Sequence, residues 1–483
     1  MLVAGTHSGV GKTTIATGIM AAFAQHGKRV RAAKVGPDYI DPGYHRLATG
    51  SPSRNLDSFL SPARLVPALT RRAAEGGDIL IVEGVMGLFD GAGRITGLEE
   101  EEEREEREEA ERVKAARMTT DPASVVPARA SSAEIAVLTA TPVVLVVDAG
   151  RMSQSVAALV HGYVSFGPPG LVKGLILNRV GSADHEEGLR RALEPLGLPV
   201  LGALRRDSAF SWRDRHLGLV PVAEHPADIR RSLRYLASAV AATVDLDCLE
   251  QLARAAPALL PSAELTAASP LATAGGRRRP RIAVAGGPAF SFLYPETTER
   301  FEEAGAELVA LDPVEDPVLP ERVDGVYAGG GFPEVYAEQL ALNRPLLADV
   351  ARFASRGGPV WAECGGLLWM SAVLDGHPQC GVVPATGTMT GRLTIGYRLA
   401  SVLADNPVAA VGTVLRGHEL HYSTLDPPGQ ALRLANGTDT WCEGHATPSV
   451  LATYLHQHLA ADPAPAERFV SAAARFGTGR EEP

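Results

Sequence analysis

The stretch that decides the fold is MLVAGTHSGVGKTT, residues 1–14. Met1–Ala4 is a short apolar run that predicts a strand, and a glycine-rich turn leads from it into a predicted helix. Glycines let backbone N–H groups close around a phosphate, and the amino end of the helix favours negative charge. The stretch therefore predicts a phosphate loop in which Lys12 contacts the β- and γ-phosphates of a nucleotide and Thr13 ligates magnesium. The predicted nucleotide-binding residues in this loop are Gly9, Gly11, Lys12, Thr13 and Thr14.

The loop departs from the usual spacing in one respect. A glycine is expected six residues before the lysine, but that position is Thr6 and the glycine is Gly5. The alternative interpretation is a glycine-rich turn before an ordinary helix. The direct succession of strand, loop and helix argues against that alternative.

Short apolar runs alternate with longer amphipathic stretches up to about residue 245. The runs are LVAG, VRAAKVG, DILIVEG, PVVLVVD, VKGLILN and PVLGAL. Because these β-branched runs show no alternation of apolar and polar residues, they indicate strands buried on both faces. Residues 1–245 are therefore predicted to form a doubly wound α/β domain with a parallel sheet. A run of acidic residues predicts a solvated insertion in this domain at about 95–130.

Acidic residues follow two of these predicted strands, at the edge where such sheets bind ligands. Asp38 and Asp41 come after VRAAKVG, with Asp57 further on, and Glu83 and Asp90 follow DILIV. Carboxylates that face a phosphate loop supply the oxygen ligands that magnesium takes. The group predicts a magnesium site, whereas any one of these acids alone is also consistent with a cap or a turn.

A second α/β domain is predicted at 281–480, after a linker at 246–280. The linker stretch is rich in Ala, Pro and Ser and has no sustained period. Beyond it, the alternation restarts with RIAVAGG, AELVALD, DGVYAGGG and PVWAEC. A region rich in predicted strands then precedes the last helix.

The turn around Cys364, in the stretch VWAECGGL, predicts a nucleophile. A strand, a sharp turn and a helix start with small residues after the cysteine are typical of a nucleophile elbow. We expect the amino end of the helix to lower the pKa of the thiol. Backbone N–H groups of glycines nearby predict an oxyanion site, assigned to Gly330, Gly331 and Gly365.

A thiol nucleophile needs a base, and the candidate is His456 in ATYLHQH. His418 and His421 compete with it on composition alone, and we expect them to orient structure or substrate instead. The other cysteines lack a comparable context and are expected to be structural: Cys248, Cys380 and Cys442.

The net charge of −10 arises largely from residues 99–112, which hold ten Glu and three Arg, and without them the charge is −3. With no positive field, nucleic acid is not an expected partner. No apolar run approaches the roughly 20 residues that cross a bilayer, and the first residues lack the features of a secretory signal. We therefore expect no membrane partner and a cytoplasmic location.

Together these motifs resemble one family, the glutamine-hydrolysing cobyrinate and hydrogenobyrinate a,c-diamide synthases. The matching stretches span nearly the whole chain and include AGTHSGVGKTT, KVGPDYIDPGYH, SRNLDSFL, IVEGVMGLFDG, LILNRVGS, AECGGL, RGHELHYS and TYLHQHL. The resemblance implies a dethiobiotin-synthetase-like ATP domain followed by a class I glutamine amidotransferase domain. It also implies that each target acetate carboxylate takes the γ-phosphate of MgATP. Ammonia made from glutamine at Cys364 then displaces the phosphate.

The resemblance assigns roles to individual residues as well. It implies that Asp57 and Glu83 assist the magnesium that Thr13 ligates, and that Asn178 reads adenine. It places five residues on the side of a corrinoid polyacid substrate: Lys34, Asp38, Tyr39, Asp41 and Asp90. Mg²⁺ with ATP is the implied cofactor, L-glutamine and ATP are the implied co-substrates, and a homodimer is left open.

One departure from the family pattern concerns the amidotransferase site. Many class I enzymes have a glutamate two residues after the catalytic histidine, and this chain has His458 there. Cys364 and His456 therefore act as a dyad, or with a third residue that the sequence does not identify.

Two other functions stay open at this point. One is amidation of another tetrapyrrole acid, such as nickel-sirohydrochlorin or an acid of the cobyric type. The other is a P-loop regulatory ATPase with a degenerate amidotransferase domain.

Overall fold

A seven-stranded parallel sheet forms the centre of the first of two units in the computed structural model of this chain. The structure describes residues 1–92, 127–206, 214–215, 218–219, 226–259, 265, 278–437 and 439–479. Those up to Leu265 belong to the first unit, and those from Arg278 belong to the second. The predicted acidic insertion lies outside the described residues as far as position 126.

The strands of the first sheet place β1 at its centre. They are β1 (Leu2–Gly5), β2 (Val30–Val35), β3 (Ser53–Leu56), β4 (Ile79–Glu83), β5 (Val143–Asp148), β6 (Val172–Val180) and β7 (Val200–Arg205). Their order is β3-β2-β4-β1-β5-β6-β7, and every pair is parallel. Strands β2, β3 and β4 lie on one side of β1, with β4 next to it, and β5, β6 and β7 follow in order on the other side, which confirms the predicted doubly wound sheet. A two-stranded ribbon of β8 (Asp214–Arg215) and β9 (Gly218–Leu219) follows.

Helices connect these strands. Within the described residues they are α1 (Lys12–Gln25), α2 (Asp41–Thr49), α3 (Val66–Ala74), α4 (Ser132–Leu138), α5 (Ser155–Phe166), α6 (Ala183–Leu193), α7 (Pro226–Thr243) and α8 (Leu246–Arg254). The strands are buried because helices flank them: every residue of the VVLVV run in β5 is buried. This is the burial that an uninterrupted apolar strand predicts.

A glycine sets how closely α1 packs in this unit. Ile15 and Phe23 of α1 are buried in its core, and Gly18 faces α7. A Cβ atom on Gly18 would lie 2.8 Å from Val240 Cγ2 and 3.0 Å from Leu236 Cγ. The missing side chain therefore lets the two helices approach, which fixes the helix that follows the phosphate loop.

Helix α8 falls inside the stretch 246–280 that the sequence assigns to a linker. Asp245 caps it by accepting a hydrogen bond from the Cys248 backbone N–H at 2.9 Å. Its apolar residues recur at helical spacing and join the core of the first unit: Leu246, Leu249 and Leu252. The helical spacing of these leucines covers only a short part of a stretch that is otherwise rich in Ala and Pro, so composition alone did not predict α8. The limits of the linker stay a prediction.

The second unit contains a six-stranded sheet whose strands are parallel except at one edge. The strands are β10 (Arg281–Ala285), β11 (Glu307–Leu311), β12 (Gly325–Ala328), β13 (Val360–Glu363), β20 (His445–Thr447) and β21 (Val450–Thr453). Their order is β11-β10-β12-β13-β21-β20, with only the last pair antiparallel. Helices in this unit are α9 (Pro295–Glu303), α10 (Ala337–Leu342), α11 (Arg344–Ser355), α12 (Gly365–Met370) and α13 (Ala464–Thr478).

A second, largely antiparallel sheet completes this unit. Its strands are β14 (Val373–Leu374), β15 (His377–Pro378), β16 (Thr386–Val402), β17 (Val414–Asp426), β18 (Leu432–Ala435), β19 (Thr440–Glu443) and β22 (His456–Gln457). β16 and β17 form a long hairpin, and β22 pairs with β17 so that His418 and His456 lie opposite each other. This pairing carries the predicted histidines to one place and confirms the predicted strand-rich region. Among the described residues, no helix combines the length and apolar character that crossing a bilayer needs.

We predict that Gly18→Val lowers the free energy of unfolding of the first unit by about 1–3 kcal/mol, because the added atoms overlap α7. Calorimetric unfolding of the full chain measures this effect. The matched control is Gly162→Val in α5, where no atom lies within 4 Å of a Cβ atom. There we expect a change of only a few tenths of a kcal/mol, from helix propensity. Equal effects at the two sites would contradict the close packing of α1 on α7.

Candidate active site

The phosphate loop connects β1 to α1, where the sequence predicts it. α1 begins at Lys12, and its N-cap is Gly11, which has a φ of 97°. Gly9 also has a positive φ, of 78°. Both values lie in the left-handed region that favours glycine. Because the N-cap has no side chain, it caps none of the first N–H groups of α1, and the helix end suits an anion.

A buried polar cluster links α1 to the carboxyl ends of β2 and β4. Thr13 Oγ1 donates to Glu83 Oε1 at 2.6 Å, and Lys34 Nζ lies 2.9 Å from the same oxygen. Lys34 Nζ is also 2.6 Å from Asp41 Oδ2. His45 Nε2 lies 2.6 Å from Glu83 Oε2. The structure thus brings four predicted residues together and adds His45. This histidine ends the quoted stretch KVGPDYIDPGYH but is not among the site residues predicted from the sequence.

The ionisable groups in this cluster shift the pKa values of one another. Burial alone would raise the pKa of Glu83, but Lys34 and the hydrogen bond from His45 hold it below its ordinary value. Burial alone would lower the pKa of Lys34, but Asp41 and Glu83 raise it. Burial, and then the carboxylates of Asp38 and Glu83, raise the pKa of Asp41 well above its ordinary value. The cluster therefore holds more carboxylate groups than one lysine neutralises.

This surplus of carboxyl groups beside Thr13 fits a magnesium ion, whose positive charge would favour the ionised form of Asp41. Among the described residues, no three His, Cys, Asp or Glu side chains come together as a metal-binding group. An ion at this position would accordingly take most of its ligands from phosphate oxygens and water, as magnesium does in other nucleotide sites. Thr13, Glu83 and Asp41 are the side chains placed to hold it.

Lys12 loses its proton more easily than an ordinary lysine. Its Nζ donates to the His7 carbonyl oxygen at 3.3 Å. Burial, and then the nearby charge of Lys34, lower the pKa of Lys12 to about 8. A triphosphate at the loop would supply the negative charge that restores the ordinary protonation of this lysine.

The remaining predicted acids make local hydrogen bonds in the turns that follow their strands. Asp38 Oδ1 accepts two backbone N–H groups at 2.8 and 3.0 Å. Asp57 Oδ1 likewise accepts two, at 2.7 and 2.9 Å. Asp90 Oδ2 accepts the Gly87 N–H at 2.9 Å, and Tyr39 is buried. These contacts give each acid a structural role, and their roles toward ligands stay predictions.

Asn178 contacts the phosphate loop from the end of β6. Its Nδ2 donates to the Val10 carbonyl oxygen at 2.8 Å. The next residue, Arg179, has a φ of 58°, donates to the Gly9 carbonyl oxygen at 2.9 Å and pairs with Asp148. Neither Arg179 nor Asp148 is among the site residues predicted from the sequence. Their position at the ends of β6 and β5 was the signal that would have identified them.

Cys364 occupies a strained turn between β13 and α12. Its φ of 50° and ψ of −99° are unfavourable for a residue with a side chain and are typical of a nucleophile elbow. The thiol is buried and lies 3.6 Å from the Leu420 carbonyl oxygen, to which it donates. Burial, and then the carboxylate of Glu334, raise the pKa of the thiol well above its ordinary value. The expected lowering of this pKa is wrong, because the short helix α12 does not offset the desolvation of a thiolate.

The structure also corrects the predicted oxyanion site. The Gly330 N–H donates to the Phe292 carbonyl oxygen at 3.2 Å, so it is committed to a backbone bridge and does not serve as an oxyanion donor. Gly331 and Gly365 fit the prediction better. Their backbones meet closely, because a Cβ atom on Gly365 would lie 2.9 Å from Gly331 N. A backbone hydrogen bond from Gly365 also favours the ionised form of Cys364.

His456 lies against the same glycine loop. A Cβ atom on Gly330 would lie 2.5 Å from His456 Cε1, so only glycine fits beneath this ring. The Cys364 N–H donates to the Thr453 carbonyl oxygen at 2.7 Å, which joins the elbow to the segment that leads to His456. Burial, and then His421, lower the pKa of His456 to about 3. The ring is therefore neutral near pH 7 and able to accept a proton.

The two competing histidines are held by neighbours. The His418 ring stacks on His456 with centroids 4.9 Å apart, and its Nε2 lies 3.0 Å from the Tyr294 hydroxyl. The His421 ring stacks on Tyr454 at 3.8 Å, and its Nδ1 donates to the Ser423 carbonyl oxygen at 2.9 Å. These contacts fit the expectation that both orient the site.

Each of the two sites lies in a stretch of sequence that matches a known domain family. Residues 1–219 match the family described as the CobQ/CobB/MinD/ParA nucleotide binding domain. Residues 281–464 match the family described as the CobB/CobQ-like glutamine amidotransferase domain. Together these domains define a ligase that forms amide bonds with glutamine as the nitrogen donor.

Relatives match over nearly the full length. The chain is 43% identical to the hydrogenobyrinate a,c-diamide synthase of Streptomyces coelicolor, over 97% of this chain and 96% of that protein. It is 40% identical to the protein of the same name from Thermobifida fusca, over 98% and 96%. It is 38% identical to the cobyrinate a,c-diamide synthase of Synechocystis sp., over 99% and 94%. The chain belongs to the a,c-diamide synthase family, which confirms the resemblance.

We predict that nucleotide binding takes up a proton at alkaline pH. Lys12 is charged below its pKa of about 8 and loses its proton above it, while the bound triphosphate favours the charged form. Between about pH 8 and 9, binding should take up as much as about one proton and weaken as the pH rises. Titration calorimetry of ATP into the protein, in two buffers of different ionisation enthalpy, measures the uptake.

The internal control for this measurement is the same titration near pH 6.5, where Lys12 is already charged and the uptake at this site should be small. Binding heats that stay independent of the buffer at alkaline pH would contradict the lowered pKa of Lys12.

Proposed function

We propose that this chain converts the a and c acetate carboxylates of cobyrinic or hydrogenobyrinic acid into amides, with ATP and glutamine as co-substrates, in cobalamin biosynthesis. The observation that carries the proposal is the presence of both sites in one chain. A phosphate loop with a charged cluster and a cysteine elbow with a neutral histidine are the parts that this reaction needs. The names of the full-length relatives supply the substrate.

The first unit would activate the carboxylate. A carboxylate resists attack by ammonia, because its leaving group would be an oxide. A carboxylate oxygen that attacks the γ-phosphorus of ATP forms a new O–P bond, and ADP leaves. The product is an acyl phosphate, whose phosphate group leaves readily.

In this step the residues of the loop would hold the triphosphate and spread its charge. The N–H groups at the start of α1 face the phosphates, and Lys12 neutralises negative charge between them. Magnesium, when bound, would supply further charge neutralisation between the phosphate oxygens. Lys34 keeps Asp41 and Glu83 in place beside Thr13, so the cluster is already formed before the nucleotide arrives.

We assign the other predicted residues to neighbouring parts of this site. Asn178 is the proposed contact to adenine, with its side chain already anchored to the loop at Val10. Lys34, Asp38, Tyr39, Asp41 and Asp90 are proposed to line the corrinoid side. Asp57 is proposed to assist magnesium through the turn that it shapes.

The second unit would release ammonia from glutamine. The Cys364 thiol gives its proton to His456, and its sulfur attacks the side-chain amide carbon of glutamine. The N–H groups of Gly331 and Gly365 receive the negative oxygen that forms. Ammonia leaves with the proton from His456, and water hydrolyses the remaining thioester to glutamate.

The burial of Cys364 and His456 determines how glutamine hydrolysis would begin. The pKa of the thiol is raised and that of His456 is lowered, so both groups are neutral at rest. A separate thiolate and imidazolium would be costly in this buried place. Proton transfer should therefore accompany the attack of sulfur on glutamine, which limits hydrolysis to occasions when glutamine is bound.

We predict that Cys364→Ala lowers glutamine-dependent amidation by on the order of a thousandfold or more, because the variant lacks the thiol that attacks glutamine. The same variant should retain amidation with ammonium at high concentration, because the first unit keeps its own site. Rates with each nitrogen donor, measured by mass spectrometry of the product, test this. Cys442→Ala is the matched control and should behave like the wild type with both donors.

Undiminished use of glutamine by Cys364→Ala would rule out this cysteine as the nucleophile. It would favour instead a P-loop ATPase with a degenerate second domain.

We predict that the purified protein, given ATP and glutamine, adds two amides to cobyrinic or hydrogenobyrinic acid. Mass spectrometry of the corrinoid counts the amides, and parallel incubations compare both acids with nickel-sirohydrochlorin and cobyric-type acids. Incubation without ATP is the control and should leave every acid unchanged. Amidation of a different tetrapyrrole, with neither corrinoid acid converted, would overturn the proposed substrate.

A further inference from the structure

The site of the missing triad acid is occupied by a buried histidine. His458 lies two residues after His456, where many class I enzymes have glutamate. Its side chain is fully buried, and neither ring nitrogen has a hydrogen-bond partner among the described residues. A buried polar ring left in this state is costly, so its retention needs a reason.

A buried carboxylate faces this histidine. Glu296, in the first turn of α9, is only 4% exposed, and its Oε2 lies 3.6 Å from His458 Nε2. That distance exceeds a good hydrogen bond but lies within the range of an ion pair. His458 stands at the position where the family pattern has glutamate, and the carboxylate of Glu296 lies next to the His458 ring.

Tyr294 ties this pair to the base. Its ring packs edge-on against His458 with centroids 4.7 Å apart. Its hydroxyl lies 3.0 Å from His418 Nε2, and the His418 ring stacks on His456. Both His456 and His458 lie close enough to His418 to affect its ionisation. The three histidines and Tyr294 thus form one packed group with Glu296 at its edge.

We infer that Glu296, acting through His458, supplies the negative charge that stabilises His456 once it has taken the proton of Cys364. This inference rests on the amidotransferase function proposed above and names the third member of its site. The imidazolium ion forms in a buried environment, where a carboxylate acts strongly at a distance of several ångströms. Glu296 and His458 are positioning residues, since neither contacts the reacting atoms.

The arrangement predicts a particular pattern among variants. Glu296→Gln keeps the shape of the side chain and removes its charge. It should lower kcat for glutamine hydrolysis by about ten- to a hundredfold with KM nearly unchanged, because the lost interaction acts only when His456 is charged. His458→Glu alone should also be impaired, because it buries a second carboxylate against Glu296.

The double variant Glu296→Gln/His458→Glu distinguishes an electrostatic role of Glu296 from a purely structural one. It places a carboxylate directly at the family position and removes the opposing charge, so its kcat should exceed that of both single variants. A purely structural role for Glu296 would make the two changes add, and the double variant would then be slower than either one. That result, or a kcat of Glu296→Gln equal to the wild type, would overturn the inference.

Two controls keep this test separate from folding and from the proposed function. Glu302→Gln makes the same substitution at an exposed position of α9 and should leave kcat unchanged. Ammonium-dependent amidation should be the same in all these variants, because it does not use the second site. If Cys364→Ala still used glutamine, the proposed function would fail. If Cys364 is required and Glu296→Gln behaves like the wild type, only this inference fails.

Discussion

Both sites depend on one constraint: the carboxyl ends of parallel strands meet at a single edge of the sheet. In the first unit, β1 ends at the phosphate loop, β2 leads to Asp41, β4 ends at Glu83 and β6 ends near Asn178. In the second unit, β12 leads to the glycine loop, β13 ends at Cys364 and β21 leads to His456. Residues far apart in sequence therefore become neighbours without further adjustment of the chain.

The two edges handle charge in opposite ways. The first collects charged and carboxyl groups, and Lys34 is a single cation beside the two carboxyl groups of Glu83 and Asp41. The second is buried and keeps its thiol and imidazole neutral. Phosphoryl transfer needs preformed charge to hold a triphosphate, whereas hydrolysis of an amide needs a nucleophile whose charge appears only during the reaction. One fold thus serves two chemistries through the polarity of what lies at the strand ends.

Motifs made of consecutive residues allowed much of the fold and of both sites to be predicted from the sequence. Features that depend on packing between distant residues could not be predicted in this way. The phosphate loop and the elbow at Cys364 are each encoded in consecutive residues, so the sequence sufficed to find them. Glu296 belongs to no local motif, and His45 ends a quoted stretch whose residues do not include its partner Glu83. Only the folded chain brings His45 to Glu83 and Glu296 to His458. The pKa of Cys364 was predicted in the wrong direction because burial depends on residues such as Leu420 that lie far along the chain. Gly330 was assigned as an oxyanion donor because its bridge to Phe292 cannot be read from the sequence.

The buried, protonated thiol of Cys364 has a consequence for the durability of the enzyme. Thiolates, and not thiols, are the forms that peroxides and disulfides attack, and exposed ones react fastest. A cysteine that is both covered and protonated is a poor target for oxidation while the enzyme is idle. The same burial that would delay the proposed reaction until glutamine arrives thus also shields the Cys364 thiol from chemical damage between turnovers.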